Sequence, residues 1–150
     1  MRTANALARA IGKGVLAGIA GTAAMTVSST IEAKLRGRAF SDAPARATAK
    51  VLGIAEFEDA RAKSRFSDLS HWGYGTMWGI AHGLLREVGL GRKAATPAHF
   101  AAVWGNAAVM LPALDIAPPF VFWGKEEVAI DVFHHAVYAT ATGLAYSLLD

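Results

Sequence analysis

Four long stretches with almost no charged residues constrain the fold of this chain more than any other feature. They span residues 14–31, 69–85, 96–114 and 128–149, and Asp131 is the one charged residue within them. Each is close to the length of about 17 to 25 residues that a helix needs to cross a bilayer. A soluble domain of 150 residues with 53% apolar residues would instead need amphipathic helices with polar outer faces. The pattern therefore predicts an all-α integral membrane four-helix bundle.

The charged residues between these stretches set the predicted span limits. We place the spans at about residues 12–33, 69–88, 96–114 and 127–149, within a single transmembrane domain covering residues 1–150. Arg2, Arg9 and Lys13 precede the first apolar run as they would in a signal peptide. That run is longer than a signal core, and no small-residue cleavage site stands out before Glu32, so we expect a retained helix.

Lipids are the partners that the charge pattern predicts. The sequence pI of about 9.5 suits Lys and Arg beside the membrane, where they meet anionic lipid, and nucleic-acid binding is not needed to explain it. The chain contains no cysteine, which excludes disulfides and thiolate metal ligands.

Two connecting segments carry structural signals of their own. Ser41, Asp42 and Pro44 form a helix start that predicts a short amphipathic surface helix in the first loop, and the run 56–63 is expected to be solvated. Between the third and fourth helices, Pro118 and Pro119 must stop a helix, yet residues 116–123 are apolar. This Pro-Pro loop is expected in the membrane interface, or as a lid over a lipid-facing pocket.

Small residues on two of the predicted helices indicate close packing. On the first helix, the line of small residues through Gly14, Gly18 and Gly21 ends at Glu32. On the second, three glycines form two successive GxxxG steps, at Gly75, Gly79 and Gly83. Packing within the molecule is the favoured interpretation, and homo-oligomerisation through these faces is the alternative.

Four antiparallel spans place most ionisable groups near one membrane face, which we call side B; the termini lie on the opposite face, side A. The side B groups are Glu32, His71, Asp115, Glu126, Glu127, Asp131, His134 and His135. On the fourth helix, Glu127, Asp131, His135, Tyr138 and Thr142 form one polar stripe, which His134 flanks. The predicted ligand-binding or polar cluster consists of Glu32, His71, Asp131, His134, His135 and Tyr138.

Three roles for this cluster remain open. Asp131 and His135, one helical turn apart, could satisfy each other and pin the fourth helix to its neighbours. Alternatively, a metal site for Zn, Fe or Mn could form from His71, Asp131, His135 and Glu32. The third role is a proton or small-solute path. His82 and His99 are expected to be interfacial or packing histidines, and Asn106 to make an interhelical hydrogen bond.

The second half of the chain resembles the YagU-like family of bacterial inner-membrane proteins, whose biochemical function is unknown. The similarity rests on Leu111-Pro112, Asp115 to Pro119, Trp123, Glu126 or Glu127, and Asp131 to His135. An acidic residue four positions before a histidine, after a Pro-Pro loop, is the recurring pattern that Asp131 and His135 match. More loosely, the glycine run 14–21 leading to Glu32, and His71, are similar too. The resemblance implies a multi-pass inner-membrane protein and no known catalysis.

Three functions are therefore compared. The first is a binding or structural module whose polar cluster holds the bundle together or binds a metal or lipid group. The second is a metal-dependent membrane enzyme acting on a lipid or quinone-like substrate, although neither HExxH nor paired ExxH motifs are present. The third is a small transporter or channel, which would need a polar path through both leaflets.

Membrane orientation is the property that the sequence constrains least. Side B carries nine Lys and Arg against six on side A, which favours side B in the cytoplasm. Eight of the nine lie in one long loop together with acidic residues, so a periplasmic side B stays open.

Overall fold

The computed structural model describes residues 2–150, with side chains from Ala4 onward. This part of the chain forms five α-helices, one 3-10 turn and no β-strand, which confirms the all-α class. The elements are α1 (Arg2–Arg36), α2 (Ala43–Leu52), α3 (Ala60–Glu87), α4 (Arg92–Ala113), the 3-10 turn (Phe120–Phe122) and α5 (Lys125–Leu148). The four long helices contain the four low-charge stretches, except for Leu114 and Leu149, the last residues of the third and fourth stretches.

The first loop contains more helix than predicted. α2 is the short helix signalled by Asp42 and Pro44, and it ends where Gly53 adopts a left-handed φ of 70°. The run 56–63 is mostly exposed, as predicted, but its second half already belongs to α3, which begins at Ala60, nine residues before the predicted span. The cause is local: the Asp59 carboxylate accepts a hydrogen bond of 2.7 Å from the Ala62 amide and so caps the helix.

The long helices lie side by side and alternate in direction. At the end of the bundle that corresponds to the predicted side A, the Lys13 ammonium of α1 meets Asp150, just beyond α5, at 3.1 Å. At side B, the Arg36 guanidinium at the other end of α1 meets Glu127 in the first turn of α5 at 2.8 Å. These contacts at opposite ends show that α1 and α5 are antiparallel. α1 packs most extensively on α3 and α5, and α4 packs on α5 and α3.

Glycines allow α1 and α3 to approach until their backbones touch. A Cβ atom built on Gly14 would lie 2.8 Å from the Ile80 Cα, and one on Gly18 would lie 2.9 Å from the Thr76 Cα. A Cβ on Gly79 would overlap the backbone of α1 itself. These glycines of both predicted faces are thus used in packing within the molecule.

The distribution of side chains is the reverse of that in a soluble protein, where large apolar side chains are mostly buried and polar ones mostly exposed. The buried apolar residues are mostly alanines, and they are accompanied by polar residues, namely Thr22, Ser70, His82, His99, His134 and Thr142. Large apolar side chains project outward from all four long helices, including Leu16, Ile19, Val27, Ile31, Leu69, Met77, Val109, Phe133 and Leu144. The interior thus consists mostly of small and polar side chains, whereas the exposed surface carries large aliphatic and aromatic ones.

Within the described residues, one helix is long and apolar enough by itself to cross a membrane, at Ala4–Arg36 in α1. The sequence predicted four such helices, and the other three predicted spans do not reach this length and hydropathy in the described residues. The helices α3, α4 and α5 differ from α1 because they carry the buried histidines and tyrosines, such as His82, His99 and Tyr138. These polar side chains lower the mean hydropathy of helices whose outer faces are apolar.

Candidate functional site

One part of the side B cluster joins α1 to α5 around Glu32. The Glu32 carboxylate accepts hydrogen bonds from Arg36 Nη1 at 3.2 Å and Arg38 Nε at 3.0 Å, and it also contacts Arg38 Nη2. On α5, buried His134 is hydrogen-bonded through Nδ1 to Ser28 Oγ at 2.9 Å. Its Nε2 lies 3.6 Å from Glu32 Oε2 and has no hydrogen-bond partner in the described structure. Two of the predicted residues, Glu32 and His134, are therefore neighbours.

Arg36 extends this cluster to the start of α5. Its Nη2 donates to Glu127 at 2.8 Å and lies 3.3 Å from Glu126. The hydrogen bond to Glu127, followed by that to Glu32, raises the pKa of the Arg36 guanidinium above its usual value. Arg36 was not among the predicted site residues, because its three carboxylate partners lie on two different helices and only the fold brings them together.

His71 and Tyr138 serve as cross-links between helices. The Thr26 hydroxyl donates its hydrogen to the Thr22 carbonyl at 2.7 Å, so His71 Nε2 must be the donor in its 2.8 Å bond to Thr26 Oγ1. Tyr138 Oη donates to the Gly75 carbonyl at 2.5 Å. The first bond ties α3 to α1, and the second ties α5 to α3.

Asp131 makes its main contact across the α4–α5 interface rather than with His135. Trp104 Nε1 donates to Asp131 Oδ2 at 2.8 Å, and the Phe120 ring of the Pro-Pro loop packs on Trp104 with a centroid separation of 5.7 Å. His135 Nδ1 donates to the backbone carbonyl of Asp131 at 2.8 Å and lies 3.5 Å from its carboxylate. The predicted Asp131–His135 neighbourhood is present, with a backbone bond as its strongest link.

The four predicted metal ligands are not brought together. Glu32 is engaged by two arginines, His71 by Thr26, and Asp131 by Trp104. Among residues 2–150, no group of three or more His, Cys, Asp or Glu side chains is placed to hold a metal ion.

A second histidine cluster lies in the half of the bundle near side A. The rings of His82 and His99 are 5.0 Å apart between centroids, and only 1% and 0% of these residues is exposed. His99 Nε2 donates to the Trp78 carbonyl at 2.9 Å, and the Tyr138 and Tyr146 rings close the cluster. Both histidines therefore pack in the interior of the bundle, in contact with side chains from other helices.

At side A, the end of the chain is held by two cations. Asp150 accepts hydrogen bonds from Arg86 at 2.7 Å and from Lys13 at 3.1 Å. These bonds, that from Arg86 foremost, lower the pKa of the Asp150 side chain. The contact fastens α1, α3 and the end of α5 to one another.

No protein-family model matches this chain, and no curated protein or solved structure matches it either. The similarity to the YagU-like family therefore stays a prediction based on the motif from Leu111 to His135.

Proposed function

We propose that this chain is a multi-pass protein of the bacterial inner membrane, in which α1, α3, α4 and α5 cross the bilayer and form a lipid-binding module. The observation that carries the proposal is the inside-out distribution of side chains. In water, exposing Leu16, Met77, Val109 and Leu144 together would forgo the main driving force for folding. In a bilayer, the same side chains meet hydrocarbon.

The interior supports the same proposal. Because lipid is as apolar as leucine, helices in a bilayer associate through close contact of small residues and through interhelical hydrogen bonds. The contact of Gly14 and Gly18 with α3 supplies the first. Hydrogen bonds from His71 to Thr26 and from Tyr138 to Gly75 supply the second.

Binding is favoured over catalysis and transport by the way the predicted cluster is used. His71, His134 and Tyr138 are hydrogen-bonded to other helices and act as structural links. Asp131 is also bonded to another helix, through Trp104 of α4, but 33% of its side chain is exposed, compared with 15% for Glu32 and 12% for His135. An accessible carboxylate beside an apolar loop is suited to recognise a group brought by the membrane.

We predict that the protein partitions into detergent and is not released from membranes by carbonate or high salt. Four bilayer helices are held by apolar contact, which weakened electrostatics does not disrupt. The measurement is ultracentrifugation of membranes after each extraction, followed by circular dichroism of the detergent-soluble protein. Release into the supernatant without detergent would contradict the four-span arrangement.

We also predict that both termini lie on the same side of the membrane, as an even number of spans requires. The chain has no native cysteine, so single cysteines introduced near residues 3 and 150 give an unambiguous signal. Both should react with a membrane-impermeant maleimide from one side of oriented vesicles. Labelling from opposite sides would mean that one of the four helices does not cross.

A further inference from the structure

We propose that Asp131 binds the ammonium group of a primary-amine phospholipid, a proposal that rests on the membrane location argued above. The site lies beneath the Pro-Pro loop, where α4 and α5 meet. Its parts are the Asp131 carboxylate, the His135 ring one turn further along α5, and an apolar wall formed by Trp104 and the loop.

The polar atoms of this site can accept hydrogen bonds but have no free donor. The Trp104 indole N–H is consumed by Asp131 Oδ2, whereas Asp131 Oδ1 receives no hydrogen bond from the described residues. Since a carbonyl only accepts, His135 Nδ1 carries the hydrogen in its bond to the Asp131 carbonyl. That hydrogen is therefore not offered to the carboxylate. A carboxylate with one oxygen that accepts no hydrogen bond complements a ligand rich in donors and positively charged.

The position of the site identifies the source of that ligand. Asp131 lies six residues after the start of α5, a rise of about 9 Å, so it lies toward the side B end of the proposed span, within reach of a lipid headgroup. Next to it, the 3-10 turn presents Val121 and Phe122, the latter 77% exposed, to the surroundings. A phospholipid can place its headgroup on Asp131 and its acyl chains along this turn. Leaving the carboxylate without such a partner in the bilayer would be costly.

A primary ammonium fits this chemistry better than other headgroups. It offers three N–H donors and a positive charge, and a charge-assisted hydrogen bond to a carboxylate is about twice as strong as a neutral one. A choline headgroup carries the charge without any N–H donor. A glycerol headgroup carries hydroxyl donors, but its lipid is anionic and would be repelled by Asp131.

The test compares lipids with identical acyl chains added to detergent-purified protein. We expect phosphatidylethanolamine to raise the Tm more than phosphatidylcholine or phosphatidylglycerol does. Asp131→Asn keeps an oxygen for the Trp104 indole but removes the charge, so it should abolish the ethanolamine-specific rise in Tm. Asp68→Asn, which neutralises an exposed carboxylate elsewhere on the chain, should leave that rise unchanged.

Three results would overturn the proposal. They are an equal effect of all three lipids on the wild type, an ethanolamine-specific rise that survives in Asp131→Asn, and an equal rise with soluble phosphoethanolamine. Detergent partitioning of the same samples separates this failure from failure of the membrane proposal. If the protein requires detergent but shows no lipid preference, the ammonium site is refuted and the membrane spans are not.

Discussion

Replacing Gly79 with alanine should destabilise the protein by an amount on the order of 3 kcal/mol, the upper range for overpacking a core. The new methyl group would overlap the Gly14 carbonyl oxygen and the Gly18 Cα across the α1–α3 contact. Both obstacles are backbone atoms, so no change of side-chain rotamer can relieve the overlap. The two helices would have to move apart and lose the close packing that holds them together.

Two other helical glycines provide matched controls for this substitution. A Cβ atom on Gly73 or Gly105 would have no neighbour within 4 Å, so alanine at either position should be neutral, or stabilising through its better helix propensity. Thermal unfolding followed by circular dichroism in one detergent would compare all three variants. If Gly79→Ala unfolded at the same temperature as Gly105→Ala, α1 and α3 would not be in backbone contact.

The helices themselves could be predicted because their signals are local. A stretch of about 20 residues with almost no charge is visible without knowledge of its neighbours, and so is a GxxxG step such as Gly75 to Gly79. The start of α3 at Ala60 lies nine residues before the predicted span, because the cap at Asp59 starts a helix within an exposed charged run that a search for apolar stretches does not include.

The partners within the site could not be predicted because they depend on how the helices are rotated against each other. Topology alone placed Glu32, Asp131 and His134 near one membrane face. It did not show that Glu32 faces His134, or that Asp131 faces Trp104 of α4. A rotation of one helix by a single residue, about 100°, would exchange these partners. Motif spacing shows only which residues of one helix share a face, as Asp131 and His135 do.

The importance of His99 illustrates the same limit. In the sequence, it is a lone histidine near the side A end of a predicted span, whereas the ionisable cluster is predicted at side B. In the structure, it is fully buried where α3, α4 and α5 meet. The contacts that bury it come from Trp78, His82 and Tyr138, each of which is distant in the sequence or on another helix.

His99→Ala should therefore cost far more stability than His135→Ala, although the sequence motif singles out His135. Removing the His99 ring leaves a cavity among three helices and takes the donor away from the Trp78 carbonyl, a loss on the order of 3 kcal/mol. His135 is partly exposed and bonds to its own helix, so its removal should cost about 1 kcal/mol.

Thermal unfolding of both alanine variants in the same detergent measures the difference, and His99→Phe separates its two causes. Phenylalanine refills the cavity but cannot donate to the Trp78 carbonyl, so the stability of this variant should lie between those of the wild type and His99→Ala. If His135→Ala were as destabilised as His99→Ala, the histidine cluster near side A would not be the structural centre of the bundle. The bond of His135 to the Asp131 carbonyl would then contribute more to the stability of the bundle than a contact within one helix should.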